Sequence, residues 1–150
     1  MAYEISTTID IAATPENVWA VLADLASYPQ WHPMYQAVTG QLAAGSTLTI
    51  TTTHPTTGRT MTAKVNVRTA EPGTELRWAS RLLGVTISKR TFRLSPAADG
   101  TLLVQTGTYR GIGGGRGRAI TNVVGRIQDT FVAINEAIKQ QAEARQRASS

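Results

Sequence analysis

The sequence predicts an α+β fold: a curved antiparallel sheet of about six to seven strands wrapped on a long C-terminal helix, with a short helical region after the first strand. Three observations carry this. A strand-like alternation opens the chain and runs directly into a helix start. The stretch from Gly40 to Arg110 is dense in Thr and Val and broken by short turns. The longest periodic stretch, from Ile120 to Ile138, repeats its apolar residues at helical spacing. A chain of 150 residues suits one domain over residues 1–150.

In the first segment Ile5, Thr7, Ile9 and Ile11 share one face, and Glu4, Ser6, Thr8 and Asp10 the other, which is the pattern of a half-buried strand. Thr14 can then cap free N–H groups, Pro15 fits the first helical position, and Glu16 complements the positive helix end. Val18, Trp19, Leu22 and Leu25 follow at helical spacing. Tyr28 and His32 each precede a proline, which disfavours helix at both, so the helix stops after about three turns and an irregular or short helical piece follows.

Five strands are expected between Gly40 and Arg110: Thr47 to Thr53, Met61 to Glu71, Glu75 to Leu83, Val85 to Ser95 and Thr101 to Tyr109. Turn residues separate them, at Gly45, Pro55 to Gly58, Pro72-Gly73, Gly84 and Asp99-Gly100. The connections are short, so the strands are sequential antiparallel neighbours. The glycine-rich stretch Gly111 to Gly117 breaks the pattern. Beyond it, Ile120, Val123, Val124, Ile127, Phe131, Ile134 and Ile138 form one apolar stripe. The polar tail from Gln140 onward is expected to fray. A twisted sheet closed by such a helix leaves a space between them, a place for a ligand cavity.

Composition narrows the chemistry. Without cysteine there is no disulfide framework, thiolate nucleophile or cysteine zinc site, and two histidines, His32 and His54, make a poor metal centre; no metal and no cofactor are expected. The N-terminus lacks the basic and apolar regions of a signal peptide, and no apolar run reaches the roughly 18 residues of a membrane span, so the chain reads as soluble and cytoplasmic. The formal charge of +5 is mostly spread out. Arg110, Arg116 and Arg118 form the one local cluster, and no basic run alternates with aromatics, so neither nucleic acid nor membrane insertion is expected. A basic surface for nucleic acid or membrane rests on that cluster alone.

Element order and residues together resemble the START-like, helix-grip (SRPBCC) superfamily, and within it the polyketide cyclase/dehydratase and lipid-transport branch. Three stretches carry the resemblance: residues 9–24 with Tyr28-Pro29-Gln30-Trp31-His32-Pro33; Leu76-Arg77-Trp78 with Arg90-Thr91-Phe92-Arg93-Leu94; and residues 131–139. It spans nearly the whole chain and implies a helix-grip fold; such folds host many tasks. The chain departs from the family pattern in three places. His32 stands where Asn often precedes the proline, Arg90 where histidine is common, and Gly107 where an acidic residue is common two places before the aromatic Tyr109.

Strand parity sorts the candidate site residues. Leu76, Trp78, Ser80 and Leu82 share a face; Ser88 and Arg90 lie with Phe92 and Leu94; Met61 lies with Ala63, Val65 and Val67. The resemblance favours Leu103, Gln105 and Tyr109 pointing inward. Arg90 is the sharpest observation. A guanidinium facing an apolar cavity must be paired or meet an anionic ligand; otherwise it reaches the sheet rim and water. His32 is either an acid–base group near the cavity mouth or a surface loop histidine. His54, before Pro55, reads as turn chemistry. Arg90, His32 and Tyr109 are therefore the candidate catalytic groups. Trp31, Met34, Tyr35, Met61, Trp78, Ser80, Phe92, Gln105 and Phe131 are the candidate ligand-binding residues. No carboxylate is placed in the cavity, which removes the base an aldol cyclisation would use. The glycine stretch satisfies neither the dinucleotide nor the P-loop pattern and reads as a lid or hinge.

Two functions follow. One is a binder of a hydrophobic or aromatic small molecule between sheet and C-terminal helix, monomeric or homodimeric, in polyketide or other secondary metabolism. The other is a cyclase/dehydratase-like enzyme that shapes its substrate and polarises a carbonyl.

Overall fold

A computed structural model describes residues 2–53, 57–82, 85–110 and 118–149, with side chains for all of these except residues 2, 82, 85 and 118–124. Strand β1 (Ala2–Ile11) leads into helix α1 (Pro15–Ala23), a 3-10 turn (Leu25–Ser27) and the one-turn helix α2 (Tyr28–Trp31). Strands β2 (Tyr35–Thr39), β3 (Thr47–Thr53), β4 (Thr60–Glu71), β5 (Glu75–Leu82), β6 (Val85–Ala97) and β7 (Gly100–Arg110) follow, and helix α3 (Arg118–Ala148) comes last. The seven strands form one antiparallel sheet in the order β1-β7-β6-β5-β4-β3-β2. This is the α+β, helix-grip architecture expected from the sequence.

The helix start behaves as its residues dictate. The Thr14 hydroxyl accepts from the Asn17 N–H at 3.2 Å, and Pro15 opens α1. Tyr28 is buried, and its hydroxyl donates to the Leu22 carbonyl at 2.6 Å, which ties α2 to α1. Strand β2 is not among the expected strands, and it lies just before the region, from Gly40 to Arg110, in which five are placed. It is five residues long and carries a bulge between Tyr35 and Ala37, so it shows no clean alternation.

The core lies between the inner face of the sheet and α3. The predicted stripe is buried at Phe131, Ile134 and Ile138, and it extends to Ala142. The expectation of a fraying tail is thereby corrected. Helix α3 runs to Ala148, and its last turns do two jobs. Glu143 accepts the Ala12 N–H at 2.8 Å, and Gln146 accepts from the Thr14 N–H at 3.0 Å and from the Asn17 amide at 2.6 Å. Polar residues in this tail thus satisfy backbone donors at the β1–α1 junction. Lys139 pairs with Glu143 one turn away.

A buried polar chain links the same layers: Asn135 donates to Thr7 at 2.8 Å, and Gln105 donates to Asn135 at 3.4 Å. Among the described residues, no helix is long and apolar enough to cross a membrane. The glycine stretch read as a lid and His54 lie outside the described residues.

Candidate functional site

The curvature of the sheet brings β2, at one edge, across from β6. There Arg90 points inward, with Phe92 and Leu94 buried beyond it on the same face. Its Nη1 donates to the Tyr35 hydroxyl at 3.0 Å and its Nη2 to the Tyr109 hydroxyl at 3.3 Å. Its guanidinium carbon sits 4.6 Å above the centre of the Phe131 ring. Among the described residues no carboxylate forms a salt bridge with Arg90. Burial works against its charge, but the Tyr35 and Tyr109 oxygens outweigh that and hold its pKa above the ordinary value, so the guanidinium stays charged.

Gly107 makes this arrangement possible. It is the register partner of Arg90 on β7. A Cβ at this position would lie 2.5 Å from a Phe131 ring carbon. The absent side chain lets the Phe131 ring lie against the strand and form the floor under Arg90. Arg90, Gly107 and Phe131 thus form one structural unit.

Arg90, Tyr35 and Tyr109 border a cavity of about 160 Å³ with Trp78, Ser80 and Ser88, and Ile50, Ala63 and Val65 add apolar wall. Each phenol oxygen already accepts from Arg90, so each hydroxyl proton is free to donate. The polar side of the cavity therefore offers donors: two phenols, Ser80, Ser88, Thr52, Lys89 and the remaining guanidinium N–H groups.

The other candidate residues have different placements. His32 is neither a free acid–base group nor a surface loop residue. It is buried, its ring stacks on Tyr35 at 3.8 Å between centres, and its Nδ1 accepts the backbone N–H groups of Met34 and Tyr35 at 3.1 and 3.0 Å. With that lone pair engaged, the neutral ring carries its proton on Nε2 and has no basic nitrogen to offer. Burial, and secondarily the Arg90 charge, lower its pKa to about 3.

Phe92 is buried behind the cavity wall, edge-on to Trp78 at 5.7 Å. Gln105 points inward as expected, but it is fully buried in the Asn135 chain rather than at the cavity. Trp31 donates its indole N–H to Ser27 at 3.1 Å and packs on Tyr28, away from the cavity. Met61 has the inner parity of Ala63 yet is 53% exposed, because residues 60–65 of β4 pair with β3 and lie beyond the register shared with β5. Met34 lies with His32 and Tyr35 along a separate surface groove.

A pH dependence follows from His32. In the unfolded chain it takes a proton below about pH 6.5, whereas in the folded chain it stays neutral to about pH 3. The unfolded state binds more protons between those values, so stability should fall as the pH falls through that window, by up to about 1.4 kcal/mol per pH unit from this group. Urea midpoints measured from about pH 7.5 to 4.5 should show the decline, and His32→Gln should flatten it. An equal slope in both proteins would mean that His32 titrates freely in the fold.

The match to known proteins is broad. A family model described as polyketide cyclase/dehydrase and lipid transport matches residues 2–143. No curated protein matches the chain in sequence. Among solved structures, the aromatase/cyclase ZhuI from Streptomyces sp. R1128 superposes with a TM-score of 0.74 at 20% identity, covering 100% of this chain and 99% of its own. The di-domain aromatase/cyclase StfQ of the steffimycin biosynthetic pathway superposes with a TM-score of 0.75 at 15% identity; the match covers 100% of this chain and 53% of StfQ, about half its length. SA2116 from Staphylococcus aureus, a protein of unknown function, gives a TM-score of 0.75 at 9% identity, covering 98% of this chain and 97% of that one. At these identities the likeness is one of fold.

Proposed function

Because this chain belongs to the polyketide cyclase/dehydrase and lipid transport family, we propose that it binds a hydrophobic or aromatic small molecule between the sheet and α3, in polyketide or other secondary metabolism. The observation that supports this best is Arg90: a guanidinium at a cavity that Lys89 also borders, held by two phenols and an aromatic face, with no carboxylate salt bridge among the described residues. Such a group is stable there and keeps N–H donors for a ligand oxygen. Native mass spectrometry of the protein purified from its own source tests the reading. A co-purifying aromatic or amphipathic molecule, lost in Arg90→Met, is expected. Retention of only highly polar polyanions, released by raised salt, would overturn it and favour a basic surface site.

Cyclase/dehydratase-like catalysis is the second reading, favoured by the convergence of the guanidinium and two phenol hydroxyls on one space. Donors so placed would polarise a carbonyl and stabilise a developing oxyanion. His32 supplies no base for this reaction, since its lone pair is spent on two backbone N–H groups. In this reading the residues polarise and orient the substrate, and the shape of the cavity selects the productive conformer.

A further inference from the structure

Tyr35 borders two spaces. It lines the cavity of about 160 Å³ that holds Arg90. It also lines a surface groove of about 370 Å³ with Pro29, His32, Pro33, Met34, Gln36 and Thr53. The inner space is below the roughly 300–1,000 Å³ usual for small-molecule sites, whereas the two joined fall within that range. We infer that the groove is a second subsite for the same ligand. It takes the apolar extension of an amphipathic molecule whose oxygen-bearing end meets Arg90, and Tyr35 is the partition that turns aside to admit it. This rests on the ligand-binding reading above.

Three features suit Tyr35 to that role. It lies on β2, at the edge of the sheet, and a bulge between Tyr35 and Ala37 interrupts the register with β3. Its side chain is held by the Arg90 hydrogen bond and the His32 stack. A ligand oxygen arriving at Arg90 replaces the hydrogen bond lost when the phenol turns away. The groove gives an apolar extension Pro29, Pro33 and Met34 to pack on, and Gln36 and Thr53 supply polar groups beside them.

A homologous series from 4-methylbenzoate to 4-octylbenzoate, titrated by calorimetry, tests the subsite. In the wild-type protein affinity should rise with chain length, by up to about fourfold per methylene buried. Met34→Asp, a change in the groove away from Arg90, should abolish the gain for the longer members and leave 4-methylbenzoate within about twofold. Tyr35→Ala should favour the long members over the short. Absence of a length dependence, or one that persists unchanged in Met34→Asp, overturns the subsite. Failure of the whole series to bind, or binding unaffected by Arg90→Met, instead overturns the ligand-binding reading on which it rests.

Discussion

Arg90→Met should weaken binding of a carboxylate-bearing aromatic such as 4-methylbenzoate by about 1.5–3 kcal/mol, roughly tenfold to more than a hundredfold, the scale of a hydrogen bond to a charged group. The replacement keeps much of the apolar stem that packs within the sheet and removes the charge. Tyr35 and Tyr109 lose a donor each but remain at the cavity, where hydroxyls can pair with water or ligand. Loss of fold should therefore be small beside loss of affinity. Uncharged apolar ligands of the same size should be little affected. If the protein is catalytic and Arg90 stabilises an oxyanion, kcat should fall more than ground-state affinity. Equal calorimetric affinity of both proteins for the carboxylate would show that Arg90 serves the sheet alone, and a passive apolar site would become the preferred reading.

The largest stability effect belongs to Phe131→Ala, about 3–5 kcal/mol by chemical denaturation. The ring is fully buried, and one of its edges occupies the space left by Gly107. Truncation leaves a void bordered by β7 backbone with no side chain at Gly107 to fall into it, so the site collapses poorly and the cost should lie toward the upper end. It also removes the aromatic floor beneath the Arg90 charge. A loss below about 1 kcal/mol would mean that the ring contributes cavity wall rather than packing.

The features legible in the sequence were those whose causes lie within a few residues. Alternation from Ile5 to Ile11, the Thr14-Pro15 start, the turns at Gly73 and Gly100, and the stripe through Phe131, Ile134 and Ile138 all reappear in the structure. Parity grouped Ser80 with Trp78, and Ser88 and Arg90 with Phe92, and Ser80, Ser88 and Arg90 all border the cavity. Asn135 was within reach of the same logic. It stands four residues after Phe131, on the stripe, and its polarity there signals the buried link to Thr7 and Gln105. Parity failed at Met61 because it tells which face a residue occupies, not how far the covered sheet extends along the strand. Strand β2 escaped because a bulge in a five-residue strand leaves no repeat to read.

What only the tertiary structure decided are the contacts made by curvature. Tyr35 and Arg90 are 55 residues apart and meet because the sheet curls β2 toward β6. Gly107 matters because a helix formed later in the chain lays Phe131 on it. Glu143 and Gln146, polar and apparently idle in the sequence, cap a junction more than 130 residues earlier. His32 changes from a candidate acid–base group to a buried, neutral support for Tyr35. The sequence by itself determined the α+β class, the order of elements apart from β2, and which residues of β6 share a face with Phe92, because strand and helix periods and end caps are set by near neighbours. The roles of Tyr35, Gly107, His32 and the C-terminal turns of α3 depend on distances between elements. Those distances are set by the twist and closure of the sheet over the helix, which no local pattern encodes.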